Sequence, residues 1–347
     1  MRRMRLLLPV LLLTLIFIGG LLLTSPSQAQ NGPTWLSFNG ETTPTEPILA
    51  LLNASSTQVS LSASLPGVNA ETVTVDGVAY TRLMADGYGY PAEYGLPELP
   101  VLRHEVEIPF GAQVSVEVIS AVYADHSLES LDLNTIYPMQ PPVPKVDGAA
   151  DTQPFTINDK FYGQGLLYPS EVVSIGEPYI IRGHRILSVE VWPVAYNPSQ
   201  SILRLYSQVT FMLAFSGADM SETASLADAY ASPAFDPFLS QQVLNYNQGR
   251  PIRVNEQVGL IIISADEYAD AIQPLVQLRR SRGFDVTLTQ TSEIPGGPTK
   301  ENIKAYLQEA YDTWPVPPSY VLLMFAKSLK SPKNAWKEAS KLYSFLM

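Results

Sequence analysis

The chain has 347 residues, a formal net charge of −11 and no cysteine. That length leaves room for about two domains at the usual ~150 residues each. The acidic balance argues against a nucleic-acid partner, whose phosphates need Lys and Arg, and the missing cysteine excludes disulfides, a thiol nucleophile and thiolate metal ligands.

Residues 1–29 read as a targeting segment: Arg2, Arg3 and Arg5 precede an apolar run over 6–23, and Ser27-Gln28-Ala29 is a small-x-small cleavage signal. A retained anchor is the alternative, since the run is about long enough to span a bilayer. Pro9, the Gly19-Gly20 pair and the cleavage signal favour removal. Losing three arginines and no acidic residue would move the net charge from −11 to −14. The expectation is an exported protein, extracellular or in the cell envelope, with no membrane partner after signal removal.

Residues 30–56, rich in Pro, Thr, Asn and Gly, are expected to form a loose lead-in. A β pattern then runs over 57–217. Val59, Leu61 and Ala63 alternate with polar residues, and Asp76-Gly77 between two β-rich runs is a strong hairpin signal. Residues 104–108 and 114–118 flank a turn at 109–112, and a proline-dense crossing follows over 137–155. Two long strands are expected over 186–195 and 202–215. Short strands with frequent turns predict an all-β, sandwich-like domain without a helix of note. Residues 218–253 read as a linker with one short helix around 237–244.

Residues 254–325 change period. Gly259-Leu260-Ile261-Ile262-Ile263 is a β-branched run of the kind buried on both faces of a sheet. Ser264 and Glu267 suggest a capping box for a helix reaching Gly283, with Arg279, Arg280 and Arg282 in its last turn. Residues 284–288 form a second strand. Ile303, Tyr306, Leu307, Ala310 and Trp314 fall at helical spacing, and 320–325 form a third strand. Strand, helix, strand, helix, strand predicts a parallel sheet. Composition shifts again at 326–347, with five lysines, no arginine and the single acid Glu338. That tail is expected to be an aberrant end from a shifted reading frame, the alternative being a basic helix with Trp336, Leu342 and Phe345 as a weak apolar stripe.

Two regions together resemble the gingipain-type cysteine peptidases. The N-terminal one is similar to that family's propeptide. It is carried by Gly95-Leu96-Pro97-Glu98-Leu99-Pro100, Ile108-Pro109-Phe110-Gly111-Ala112, Tyr168-Pro169, Arg182-Gly183-His184-Arg185 and Pro193-Val194-Ala195-Tyr196-Asn197-Pro198. The C-terminal one resembles the start of the caspase-like catalytic domain, in Leu260-Ile261-Ile262-Ile263-Ser264, the stretch 278–286, residues 303–307 and Pro318-Ser319-Tyr320-Val321-Leu322-Leu323. The likeness is lost at Met324-Phe325-Ala326, where the family has a Val-Gly-Asp type sequence. It implies a multidomain protein: an all-β propeptide followed by an incomplete α/β, caspase-like domain over 254–325. It also implies thiolate attack on protein or peptide substrates, usually after Arg or Lys, with both catalytic residues on later strands.

No catalytic residue is therefore assigned. His104, His126 and His184 all belong to the β half and read as strand or loop histidines. Asp266, Glu267 and Asp270 cluster where a helix dipole favours acid, which is a better reading than a metal site. No cofactor is implied: Gly87-Tyr88-Gly89 lacks a third glycine, and no glycine-rich phosphate loop follows Ile263, which weakens a nucleotide-binding reading. Arg253-Val254 is the candidate propeptide processing bond, since Arg250 precedes a proline. The expected function is a secreted gingipain-like endopeptidase precursor, truncated before its catalytic His and Cys and inactive as given. The alternative is a secreted binding or inhibitory module acting on a related peptidase. Oligomeric state is left open.

Overall fold

A computed structural model of the chain describes residues 32–146, 153–246 and 257–325. The targeting segment 1–29, the Arg253-Val254 bond and the tail 326–347 lie outside the described residues.

The β-rich part begins earlier than composition suggests. Strands β1 (Thr34–Ser37) and β2 (Ile48–Ala54) lie within the expected loose lead-in. Gly32 and Pro33 precede β1, Gly40, Pro44 and Pro47 fall between the strands, and both pairing partners come later in the chain. β3 (Gln58–Ser64) pairs with β2, while β4 (Gly67–Val75) pairs with β1 and with β5 (Val78–Met84). Asp76 and Gly77 join β4 to β5 with φ of 51° and 81°, the positive values that a two-residue type I′ hairpin demands.

β6 (Leu102–Glu107) and β7 (Gln113–Ser127) flank the turn at 109–112 without pairing to each other; the turn passes the chain between sheets. One turn of helix, α1 (Asp159–Tyr162), interrupts the strands. β8 (Val173–Ile175) and β9 (Tyr179–Ile181) then lie against β10 (His184–Val191), which also pairs with β6. The single strand expected over 186–195 breaks at Pro193, which has no N–H to donate. Beyond it, β11 (Val194–Asn197) pairs with β12 (Ile202–Ser216), itself flanked by β3 and β7.

The sheet built on β10 faces the sheet built on β12. Leu61, Val106, Leu187, Val189, Phe211 and Leu213 interdigitate between them at 0% exposure. A second cluster, with Leu83, Ile136, Val194 and Leu203, fastens β4 and β5 to β11 and β12.

Residues 218–246 hold two helices where one was expected: α2 (Met220–Ala229), whose first turn is capped by the Asp219 carboxylate accepting from the Glu222 amide at 2.8 Å, and α3 (Asp236–Gln242). Leu239 and Val243 pack on Ile186, on the outer face of β10.

The α/β part follows the expected order. β13 (Val258–Ser264), α4 (Gln273–Ser281), β14 (Phe284–Gln290), α5 (Lys300–Thr313) and β15 (Pro318–Met324) form a parallel sheet in the order β14-β13-β15. Leu260 and Ile262 meet α4 on one face, and Ile261 and Ile263 meet α5 on the other. The capping box at Ser264 and Glu267 does not form. The Ser264 hydroxyl donates to the Ala265 carbonyl at 3.1 Å, a 3-10 turn covers Asp266–Tyr268, and α4 starts only at Gln273, beside Pro274. Proline at a first helical turn loses no hydrogen bond, so it sets the start that the serine was expected to set. Gly283, at φ 86°, ends the helix as expected.

Deleting core volume separates the buried sheets from the exposed edge strand. Phe211→Ala is expected to cost about 3–5 kcal/mol in urea unfolding. Val118→Ser, on the exposed β7, should stay within about 0.5 kcal/mol.

Candidate functional site

The β-rich part meets the α/β part at the turn between β9 and β10. Arg182 and Gly183 form that turn, both in left-handed backbone, with φ of 50° and 74°. For arginine this conformation costs about 1–2 kcal/mol, and strain of this kind needs surrounding contacts to hold it. Gly183 is required for a further reason: a Cβ there would run into the Leu226 carbonyl of α2. The turn is thus pressed onto α2, and the Arg182 side chain reaches across to the α/β part.

There the guanidinium is caged, and Arg182 is only 6% exposed. Nη1 donates to the Pro318 carbonyl at 3.1 Å, and Nη2 donates to the Ser319 hydroxyl at 3.4 Å, both at the start of β15. The charge lies 5.2 Å from the ring centre of Phe235, between α2 and α3, and 5.1 Å from that of Tyr311 on α5. Nε is buried with no hydrogen-bond partner. Among the described residues no carboxylate forms an ion pair with Arg182. Burial pushes its pKa below the ordinary value, with Tyr311 acting in the opposite sense. An arginine keeps its charge under such a shift. The site therefore buries a cation on aromatic faces and a carbonyl.

Neighbouring contacts continue this seam. Tyr230 stacks on Tyr311 with ring centres 4.9 Å apart and planes 16° apart. The Tyr230 hydroxyl donates to Asp312 at 3.4 Å, and the Ser232 and Ser319 hydroxyls share a hydrogen bond. None of these is an apolar core contact.

A strap over 243–246 leads from α3 towards the α/β part. The Leu244 amide donates to the Glu105 carbonyl at 2.9 Å. Asn245 then acts as a strand neighbour to β6: its Oδ1 accepts from the Glu107 amide and its Nδ2 donates to the Glu107 carbonyl, each at 2.8 Å. His184 Nδ1 lies 3.0 Å from Glu107 Oε1, and the His184 ring sits 5.0 Å from that of Tyr246. Tyr246 in turn donates its hydroxyl to Asp236 at 2.6 Å.

The three histidines are not gathered. His104 stands opposite Val189, His126 opposite Leu203 and His184 opposite Ile181 in their respective ladders. Burial lowers the His104 pKa, with Glu105 opposing. Asp266 is tied up locally: its carboxylate accepts from the Ser292 amide and the Thr291 hydroxyl, each at 3.0 Å, and the Ser292 amide is the main reason its pKa falls. Sequence reasoning gave Arg182 no role. The available signal was an Arg-Gly pair between two β runs, where a long charged residue is unusual at a tight turn.

Comparison with known proteins bears on both parts. Residues 40–249 match the family described as Propeptide_C25, and residues 253–327 match Peptidase family C25. Lys-gingipain of Porphyromonas gingivalis is 26% identical over 263 residues, covering 75% of this chain and 15% of the relative. Gingipain R2 of Porphyromonas gingivalis is 24% identical over 253 residues, covering 72% of this chain and 33% of the relative. The chain thus spans a third or less of the length of these two relatives. Among solved structures, one described as a complex of Porphyromonas gingivalis RgpB pro- and mature domains superposes with a TM-score of 0.47 at 19% identity, covering 57% of this chain and 97% of that one. Another, on the zymogenic latency of gingipain K from the same organism, gives a TM-score of 0.46 at 24% identity, covering 54% and 100%.

Asn245→Ala would delete two hydrogen bonds in a buried spot, at about 1–3 kcal/mol each. The expected outcome is a clear fall in the urea midpoint with faster amide exchange at Glu107; an unchanged midpoint would mean the strap is not held there.

Proposed function

The chain belongs to the gingipain-type C25 peptidase family, through the match of residues 40–249 to that family's propeptide, and from this premise we propose that it is a precursor of a secreted gingipain-like cysteine endopeptidase. In this reading the segment 1–29 is a signal peptide that directs export. The propeptide takes in more than the 57–217 expected from the sequence: β1 and β2 pair into its sheets, α2 and α3 pack on it, and the family match runs over 40–249, while 254–325 begin the caspase-like catalytic domain. The substrates are protein or peptide chains, as the matched peptidase family suggests. The family's thiolate nucleophile is not available from these 347 residues, which contain no cysteine. We therefore assign them docking and latency rather than bond cleavage.

The observation that carries this reading is the seam itself. Residues inside the propeptide match (Arg182, Tyr230, Ser232 and Phe235) close on residues inside the peptidase match (Tyr311, Asp312, Pro318 and Ser319). A propeptide that masks its enzyme needs such a contact surface, built from groups that survive exposure to water once the two parts separate. Apart from the Phe235 ring, the seam is built of hydroxyls, a guanidinium and tyrosine rings, each amphipathic or polar when solvated.

Arg253-Val254 is the proposed processing bond, cut in trans. Limited digestion with a trypsin-like protease is expected to give a product whose N-terminus is Val254, and the two fragments should co-elute on size exclusion. Separate elution of the fragments would count against the docking reading, and a first cut elsewhere against the processing bond. The intact chain should leave fluorogenic Arg and Lys peptides uncut; hydrolysis above background would remove the assignment of latency.

A further inference from the structure

Within the propeptide reading, on which this inference rests, we propose that Arg182 is a guanidinium-specific pin: its cage decides whether the β-rich part stays on the α/β part after the connecting segment is cut. Three observations lead there. Among the described residues the guanidinium is buried without a carboxylate partner, so its retention depends on the Phe235 and Tyr311 faces together with the Pro318 carbonyl and the Ser319 hydroxyl. Such a holder recognises a flat cation that stacks and donates in its own plane at the same time. An ammonium group has no plane to stack and concentrates its charge at one strongly hydrated point.

The second observation is that both sides build the cage. Phe235 comes from the connecting segment of the β-rich part, whereas Tyr311, Pro318 and Ser319 belong to α5 and β15. Separation of the parts dismantles the cage and returns the guanidinium to water. The third is the backbone. Arg182 is held in left-handed geometry beside a glycine that has no room for a Cβ against α2, so the side chain is aimed by a rigid turn. Other seam contacts described above are hydroxyl hydrogen bonds and a tyrosine stack, and hydroxyl pairs add little net binding when both partners are well hydrated apart.

Chemical rescue in the full-length chain tests this. A recognition sequence for a site-specific protease replaces residues 249–254, the chain is cut, and association of the fragments is read by size exclusion with light scattering at low-micromolar concentration. The unsubstituted fragments are expected to stay together. Arg182→Ala and Arg182→Lys should each weaken association by about tenfold or more. Millimolar methylguanidinium should restore association of the Arg182→Ala fragments, while methylammonium at the same concentration should not.

The outcomes separate the two claims. If the unsubstituted fragments part on cutting, the docking reading fails whatever Arg182 does. If they hold and the Arg182→Ala fragments hold equally well, the pin is overturned. Dissociation that neither cation rescues, or that both rescue equally, overturns its guanidinium specificity. Circular dichroism and the melting temperature of the uncut variants control for misfolding. Should Arg182→Ala not fold, Tyr311→Leu leaves an apolar side chain but removes one face of the cage together with the Tyr230 stack, and a loss of association at least as large is expected; retained association there would also overturn the pin.

Discussion

Strand β10 is the constraint on which the structure depends, because it carries buried side chains on both faces. Leu187, Val189 and Val191 point into the space between the two large sheets. Ile186 points the other way, under Leu239 and Val243. Alternation along a strand forces this division, since successive side chains leave on opposite faces. On that second face Ile186 and His184 are buried and Ser188 and Glu190 half-buried, and α3 with the strap over 243–246 covers the His184–Ile186 end. Polar groups taken inside by that cover must find partners, which accounts for His184 against Glu107 and Asn245 against the Glu107 backbone.

The same strand begins at the turn that reaches the α/β part, so the packing of the β-rich core and the geometry of the seam are coupled through a few residues. Gly183 lets the turn lie flat on α2, and Arg182 projects from it. The two interfaces are chemically unlike. Between the sheets, large aliphatic and aromatic side chains are fully buried and drive folding through apolar area. Across the seam, tyrosines, serines and one guanidinium meet beside the Phe235 ring, mostly groups that tolerate water. A connection of the first kind cannot open without unfolding, whereas one of the second kind can separate between folded parts.

Much of this was legible in the sequence wherever signals were local. Asp76-Gly77 specified a hairpin because positive φ at both positions suits those residues. The β-branched run over 259–263 marked a doubly covered strand, and Gly283 marked a helix end. What was missed depended on distant partners. β1 and β2 read as polar lead-in until β4 and β3 stand beside them. The Ser264 and Glu267 pair resembles a cap, but the carboxylate of Asp266 is claimed by the turn after β14, and the helix waits for Pro274. Pro193 was visible all along as a residue without an amide proton, yet only the switch to β11 gave it meaning.

The sequence by itself determined the two-part organisation, that the α/β strands run parallel, and the likeness to a propeptide followed by a peptidase domain. These follow from periodicity, turn residues and short matching segments, all of which are properties of neighbouring residues. Tertiary structure alone decided that Arg182 lies inside an aromatic cage, that Asn245 substitutes for a strand, and that α2 leaves room only for glycine at 183. Each of these joins groups far apart in the chain, where burial and hydrogen-bond satisfaction, not local propensity, select the arrangement.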